Sequence, residues 1–420
     1  MLMDEFMLDH PADRALASAA ERFGTPLFTY DLARICQQAV NLQAALPAGA
    51  VAHYAFKANP SLGICRLLRE AGLGADISSE GELVTARAAG FAPERLLFTG
   101  PAKYPALLER LGAARPALVV LESLLEARQL DAMARRHGYR QDVLLRLHPP
   151  AALLETATGE GIQVAEASSK FGIDSERLGD VLPALDALPA LRLRGLHCYL
   201  ASNVLDADHL LRPARWLLGC LEALRREGRP DLDCLDIGGG LGVPYAEGEA
   251  AFDLDRFARG LRDLQASASK PLRLLLEVGR YLVAESGCYL IRVLDVRESR
   301  GRTWVIVDGG IHNLLRGYNG KANRLLRLVG GAGRPLCRVN VAGCLPTPQD
   351  VLVEDLALPL PEPGDLLALP NCGAYTLHHS LLYFGLHPTP AEVALEGGDA
   401  WLLRRRGDAE GMLEGQTICR

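Results

Sequence analysis

Ala50-Val51-Ala52-His53-Tyr54-Ala55-Phe56-Lys57-Ala58-Asn59-Pro60 decides the fold. The stretch reads as a short buried strand, Ala50 to Phe56, ending in one lysine, then a turn and an amphipathic segment from Leu62 to Ala71. A lysine at the carboxyl end of a parallel strand is most often a solvated cap. Lys57, however, follows Ala-Phe on an apolar strand. An ammonium there is partly desolvated and its pKa lowered, the condition for an imine-forming amine.

Working outward, further apolar strand candidates lie at 74–77, 95–99, 117–121, 142–147, 194–200, 232–237 and 272–277. Helical-period segments separate them, among them Glu80–Ala89, Tyr104–Leu111, Leu124–Arg136 and His209–Arg226. Continuously apolar strands alternating with helices indicate a parallel sheet covered on both faces. Eight such units in about 250 residues fit a (β/α)8 TIM barrel. A doubly wound open sheet is the alternative, but no G-x-G-x-x-G follows the first strand. Past Gly287 the texture changes. Tyr289–Val296, Thr303–Val307, Pro335–Val341 and Leu366–Ala368 alternate with Gly, Pro and Asp turns, as in an antiparallel β domain. The expected division is a barrel over 31–285, a C-terminal β domain over 286–420, and an N-terminal segment, 1–30, pairing with that β domain. Gly24 to Asp31 forms a short strand leading to a helix that Asp31 caps.

At 420 residues two domains are the prior, and 49% hydrophobic with 23% charged residues describes a soluble globular chain. A net charge of -6 without a basic block argues against nucleic acid. No apolar run reaches spanning length, and the acidic start, Met1 to His10, lacks the basic and apolar regions of a leader; no membrane association is expected. Ten cysteines without a C-x-x-C pair argue against a zinc site or disulfide framework and for a reducing cytoplasm. No metal is expected.

Barrel enzymes carry their chemistry at the carboxyl ends of the strands. Those ends hold Lys57, Asp76-Ile77-Ser78-Ser79-Glu80-Gly81-Glu82-Leu83, and His148. Further on they hold His197 with Tyr199 and Ser202, then Asp236-Ile237-Gly238-Gly239-Gly240-Leu241-Gly242, then Glu277-Val278-Gly279-Arg280. Gly238, Gly239 and Gly240 leave backbone N–H groups open to an anion, and loops after the seventh and eighth strands are the usual barrel phosphate site. Glycines also serve tight packing. Glu277 is placed to pair with a protonated pyridine nitrogen. At about 4 Å and an effective dielectric near 20 that attraction is roughly 4 kcal/mol before desolvation. A salt bridge to Arg280 is its simpler alternative. Amine, phosphate cradle and ring-pairing carboxylate together point to pyridoxal 5'-phosphate.

These motifs, in this order, resemble the fold-type III pyridoxal-phosphate decarboxylases with an alanine-racemase-like barrel, the group of diaminopimelate, ornithine and arginine decarboxylases. The resemblance also covers Gly24-Thr25-Pro26-Leu27, Ser169-Lys170-Phe171-Gly172-Ile173 and Gly373-Ala374-Tyr375, nearly the whole chain. It implies that Lys57 bonds the coenzyme and that Glu277 faces the pyridine nitrogen. Gly238, Gly239, Gly240, Ser202, Arg280 and Tyr375 are then expected around the phosphate, with Asp76 and Glu82 on the wall near Lys57. It also implies a head-to-tail homodimer whose protomers complete each other's active sites.

Three stretches depart from the family pattern. Where the family has His-x-Gly-Ser, this chain reads Tyr199-Leu200-Ala201-Ser202; Tyr199 takes the stacking place and His197 sits two residues earlier. Asp308-Gly309-Gly310-Ile311-His312-Asn313-Leu314-Leu315-Arg316 resembles the segment delivering an arginine to the substrate carboxylate. Gly317-Tyr318-Asn319-Gly320-Lys321 then replaces Pro-x-Leu-Tyr. This wording, with Pro348-Gln349-Asp350-Val351-Leu352, is similar to the branch acting on siderophore precursors or aminoacyl carrier proteins. The family's Gly-Pro-Leu-Cys becomes Gly343-Cys344-Leu345-Pro346, so proline and cysteine have changed places. Cys344 is either the acid that returns a proton to Cα or an ordinary buried thiol; His197, His378 or water are the other donors.

The expected activity is removal of the α-carboxylate from an L-amino acid or amino-acid conjugate. Racemisation or epimerisation on the same fold is the alternative, and it needs a base on each face of Cα. A non-catalytic coenzyme-binding homologue would have lost Lys57 or Glu277, and both are present.

Overall fold

Eight strands too short to stand alone close on one another, and their residues follow from that closure. The computed structural model describes residues 12–151, 153, 162–163, 169–314 and 320–418. After β1 (Leu27–Asp31) come the barrel strands. They are β2 (Ala50–Ala55), β3 (Gly74–Ile77), β4 (Leu96–Phe98), β5 (Leu118–Leu121), β6 (Gln141–His148), β7 (Leu191–His197), β8 (Cys234–Asp236) and β9 (Arg273–Val278). They run in the order β5-β4-β3-β2-β9-β8-β7-β6, all parallel, and β6 pairs back to β5. The expected TIM barrel is therefore observed, with every expected strand in place, and the open sheet is excluded by the β5–β6 closure.

The continuous apolar runs have a direct cause. In β5, Leu118 and Val120 join Leu97, Leu144, Cys234 and Leu275 in one buried cluster, while the alternate residues Val119 and Leu121 are equally buried. Both faces of β5 leave water, so period-two alternation is absent there. The helices start on side-chain caps: Ser79 Oγ accepts the Glu82 N–H at 3.2 Å and Ser123 Oγ accepts the Glu126 N–H at 3.1 Å.

The described chain divides into two units. One spans Cys36–Pro244 with Ala250–Leu282 and contains the barrel. The other takes the residues up to Ile35, Tyr245–Glu249 and those from Val283 on. Its strands are β1, β10 (Gly287–Ser299), β11 (Arg302–Val307), β12 (Leu336–Ala342), β13 (Val351–Pro359), β14 (Leu366–Leu369), β15 (Ala391–Glu396) and β16 (Asp399–Arg404). The sheet order is β13-β12-β11-β10-β1-β15-β16, with β14 also on β10. Two of its pairings are parallel, β1 with β15 and β11 with β12, so the expected antiparallel character is dominant rather than complete. Asp31 caps the following helix by accepting the Arg34 N–H at 3.1 Å. Leu16, Leu27, Leu290, Ala368 and Val393 belong to the core of this unit.

Candidate active site

The parallel register brings the strand ends to one mouth of the barrel. Ala55 pairs with Asp76 across β2 and β3, and Asp236 with His197 across β8 and β7. Lys57 stands in the single turn Phe56–Ala58 directly after β2. Its Nζ donates to Asp76 Oδ2 at 2.7 Å and lies 3.6 Å from Glu277 Oε2. Asp76 Oδ1 accepts from Thr99 at 2.6 Å, and Glu277 Oε1 is 3.1 Å from His197 Nε2. Asp76, Asp236, Glu277 and His197 are buried, whereas the Lys57 side chain keeps 34% exposure. This partly exposed amine is thus held between two buried carboxylates.

The charges sort themselves by environment. Burial raises Glu277, but Lys57, His197 and Arg146 outweigh it and hold that carboxyl well below the usual range. Burial and the Glu277 charge push Asp76 up to about 7 against the pull of Lys57. Asp236 is driven well above its ordinary value, by burial first and Glu277 second. Burial lowers His197 despite its carboxylate neighbour. One ionised carboxylate therefore sits among two that resist ionisation.

The glycine turn has two reasons for its composition. Gly238 and Gly240 have φ of 68° and 101°, in the region that favours glycine. An added Cβ at Gly239 would overlap the Glu277 carbonyl, and one at Gly238 would strike the Tyr199 ring. Gly238 N–H donates to Asp236 Oδ1 at 2.9 Å, and its carbonyl accepts the Glu277 N–H at 2.8 Å. The turn thus fixes the backbone of Glu277 as well as offering an anion cradle. Among the described residues nothing accepts from the N–H groups of Gly239 and Gly240, and Ala201–Ser202 runs beside them. An amine between carboxylates, a buried ionised carboxylate, an aromatic ring and two amides without acceptors fit pyridoxal phosphate.

Other strand-end residues belong to the site's support. Arg146 Nη1 pairs with Glu122 at 2.9 Å, both buried, and its guanidinium lies 4.4 Å from the Phe171 ring centre. Gly172 N–H donates to the same Glu122 at 2.9 Å, which accounts for the Phe171-Gly172 motif. Lys103, also buried, pairs with Glu126 at 3.1 Å. Sequence reasoning passed over Thr99, Lys103, Glu122, Glu126 and Arg146. The available signal was an arginine inside the apolar run Val143–Leu147. Glu82, expected on the wall near Lys57, accepts from Ser78 N–H at 2.6 Å and Ser78 Oγ at 2.9 Å, two residues past Asp76.

In the other unit, Cys344 follows β12. Its thiol donates to the Asp308 carbonyl at 3.6 Å and lies 4.0 Å from His387 Nε2; burial and Asp350 push it up to about 11. Tyr375 is half-buried with φ of 53°. His378 Nε2 is 3.5 Å from Glu392, which also accepts from Tyr30 at 2.9 Å. The structure brings Lys57, Asp76, His197, Tyr199, Ser202, Gly238–Gly240 and Glu277 to the barrel mouth, with Arg280 following β9. Arg316 lies outside the described residues.

Residues 32–284 match the family described as pyridoxal-dependent decarboxylase, pyridoxal binding domain. The chain is 30% identical over 413 residues to the L-glutamyl-[BtrI acyl-carrier protein] decarboxylase of Niallia circulans, covering 96% of each chain. It is 36% identical over 406 residues to a diaminopimelate decarboxylase of Actinosynnema pretiosum subsp. auranticum, covering 94% of this chain and 89% of that one. The crystal structure of diaminopimelate decarboxylase from Helicobacter pylori complexed with L-lysine superposes with a TM-score of 0.85 at 27% identity, covering 95% of this chain and 98% of the other.

Proposed function

This chain belongs to the pyridoxal-dependent decarboxylases, and we propose from that premise that Lys57 anchors the coenzyme while the α-carboxylate of an L-amino acid or amino-acid conjugate is removed. The observation that carries the reading is the amine of Lys57 lying 2.7 Å from Asp76 and 3.6 Å from Glu277 in the mouth of a barrel. When bound, the coenzyme supplies an electron-accepting protonated ring that takes up the pair left at Cα as carbon dioxide departs.

The chain's own residues have separable tasks. Glu277, ionised and buried, stabilises a cation facing it, with His197 Nε2 3.1 Å from its second oxygen. Tyr199 offers a ring face beside Gly238, and the amides of Gly239 and Gly240 with Ser202, Arg280 and Tyr375 would bind the phosphate. Asp76 keeps Lys57 oriented and, with its pKa raised to about 7, exchanges a proton readily near neutrality. Arg316 would clamp a substrate carboxylate. Cys344 would return the proton to Cα, since a thiol donating to a carbonyl carries one to give. His378 is turned toward Glu392 and His197 toward Glu277, which favours the cysteine over either.

The similarity to a carrier-protein decarboxylase and to diaminopimelate decarboxylases supports two substrate forms, a free diamino acid and an aminoacyl group on a carrier protein. The replaced segment after Arg316 favours the second, and with it siderophore or other secondary-metabolite biosynthesis. A cytoplasmic homodimer with shared active sites completes the reading. Among the described residues no helix is long and apolar enough to cross a membrane.

Mass spectrometry of products after incubation with candidate amino acids, citryl-diamine conjugates and aminoacyl carrier proteins, with carbon dioxide measured in parallel, tests it. Loss of one carboxyl group is expected. Exchange of the Cα proton without carbon dioxide would point to racemisation instead.

A further inference from the structure

Three side chains from separate loops of the β unit meet in a way the decarboxylase chemistry does not require. His312 follows β11, Cys344 follows β12, and His387 precedes β15. One ligand-type atom of each lies within 4.8 Å of the other two. Cys344 Sγ is 4.0 Å from His387 Nε2, and the two imidazole centres are 4.9 Å apart. His312 is only 1% exposed, and its Nδ1 is buried with no hydrogen-bond partner among the described residues. An orphaned ring nitrogen inside a protein is destabilising, so its retention needs a counterpart.

The loops are held in place from behind. Asp350 accepts the Ile311 N–H at 2.8 Å and the Leu345 N–H at 2.7 Å. Cys344 N–H donates to the Gly309 carbonyl at 3.0 Å. An added Cβ at Gly310 or Gly343 would collide with the Asp350 carboxylate, so both loops close tightly over it.

We infer that His312, Cys344 and His387 form a binding site for a divalent transition-metal ion of the zinc class. Two imidazoles and a thiolate are the borderline-soft set such ions take, in tetrahedral geometry at about 2.0–2.1 Å to nitrogen and about 2.3 Å to sulfur. Those lengths place sulfur and nitrogen ligands roughly 3.5 Å apart. The gap at His387 closes with a small movement of a half-buried side chain. On binding, the Cys344 S–H bond breaks, the sulfur pair passes to the metal, and the proton goes to solvent; nothing is oxidised or reduced. Three protein ligands leave a fourth position for water. The inference goes beyond the proposed decarboxylation, and it claims the sulfur assigned there to proton donation: a protomer holding the ion has no thiol proton to give.

Titration of the full coenzyme-loaded chain with Co2+, without substrate, tests it by difference spectrum. One equivalent should bind, with thiolate-to-metal charge-transfer absorption and the visible bands of tetrahedral cobalt, and Zn2+ should displace it. Cys344→Ser should abolish the charge-transfer absorption. His387→Ala should weaken binding about tenfold or more, with an unchanged thermal melt. Absence of the absorption, its survival in Cys344→Ser, or native affinity in a folded His387→Ala would each overturn the site. Since no substrate is present, that failure would leave decarboxylation standing, and failure to decarboxylate would leave the metal site standing.

Discussion

Glu277→Gln removes one charge from the barrel mouth with almost no change of shape. The carboxylate lies 3.6 Å from Lys57 Nζ and 3.1 Å from His197 Nε2. At an effective dielectric near 20, unit charges at that first separation attract by about 4–5 kcal/mol. Solvent reaches Lys57, whose side chain is 34% exposed, and screening trims the value to roughly 3–4 kcal/mol. A coenzyme ring cation facing Glu277 at contact distance would lose a comparable amount with the amide. At about 1.4 kcal/mol per decade, kcat should fall about 10²–10³-fold. Coenzyme content should fall much less, because Lys57 and the glycine turn are untouched. The assay is carbon dioxide release per bound coenzyme. Borohydride reduction should locate the coenzyme on the peptide holding Phe56-Lys57-Ala58. Turnover within a few-fold of the parent at full occupancy would refute the reasoning and leave Glu277 a structural residue; labelling of another lysine would remove Lys57 from the centre of the site.

Arg316→Ala removes a proposed bidentate carboxylate clamp and should raise KM about tenfold to a hundredfold; unchanged kcat/KM for the true substrate would dismiss the role. The Asp76 carboxyl, raised from 3.8 to about 7, is protonated in the folded coenzyme-free protein where the unfolded chain is ionised. Its contribution to stability is therefore present below pH 3.8 and is lost as pH rises toward 7. Denaturation midpoints across that range should flatten in Asp76→Asn, and an unaltered slope would count against the shift. Cys344→Ser should slow return of the proton to Cα by about 10²–10⁴. Carbon dioxide, amine product and pyridoxamine phosphate are measured together, and no change in any of the three would make Cys344 a bystander in decarboxylation.

What could be read without coordinates was what the chain repeats locally. Barrel strands are buried on both faces, so Leu118–Leu121 or Leu274–Leu276 announce themselves as unbroken apolar runs, and the residues just past such runs fall at the mouth. Lys57 and Glu277 were legible for that reason. Partnerships were not. Arg146 pairs with Glu122 from a neighbouring strand end, 24 positions away, and neither residue's neighbours in sequence reveal the other. The hydrogen bonds of Glu82 were not legible either, because a carboxylate three residues past a serine satisfies a helix start as readily as it faces a cofactor. The parallel pairings of β1 with β15 and β11 with β12 depend on register between distant segments, where a local alternation pattern is silent. The same limit applies to His312, Cys344 and His387. Scanning for C-x-x-C spacing finds metal sites built on one turn, whereas these side chains come from three loops, two of them tied to Asp350. The missing C-x-x-C pair therefore argues against a zinc ribbon and carries no weight against a site assembled by the fold.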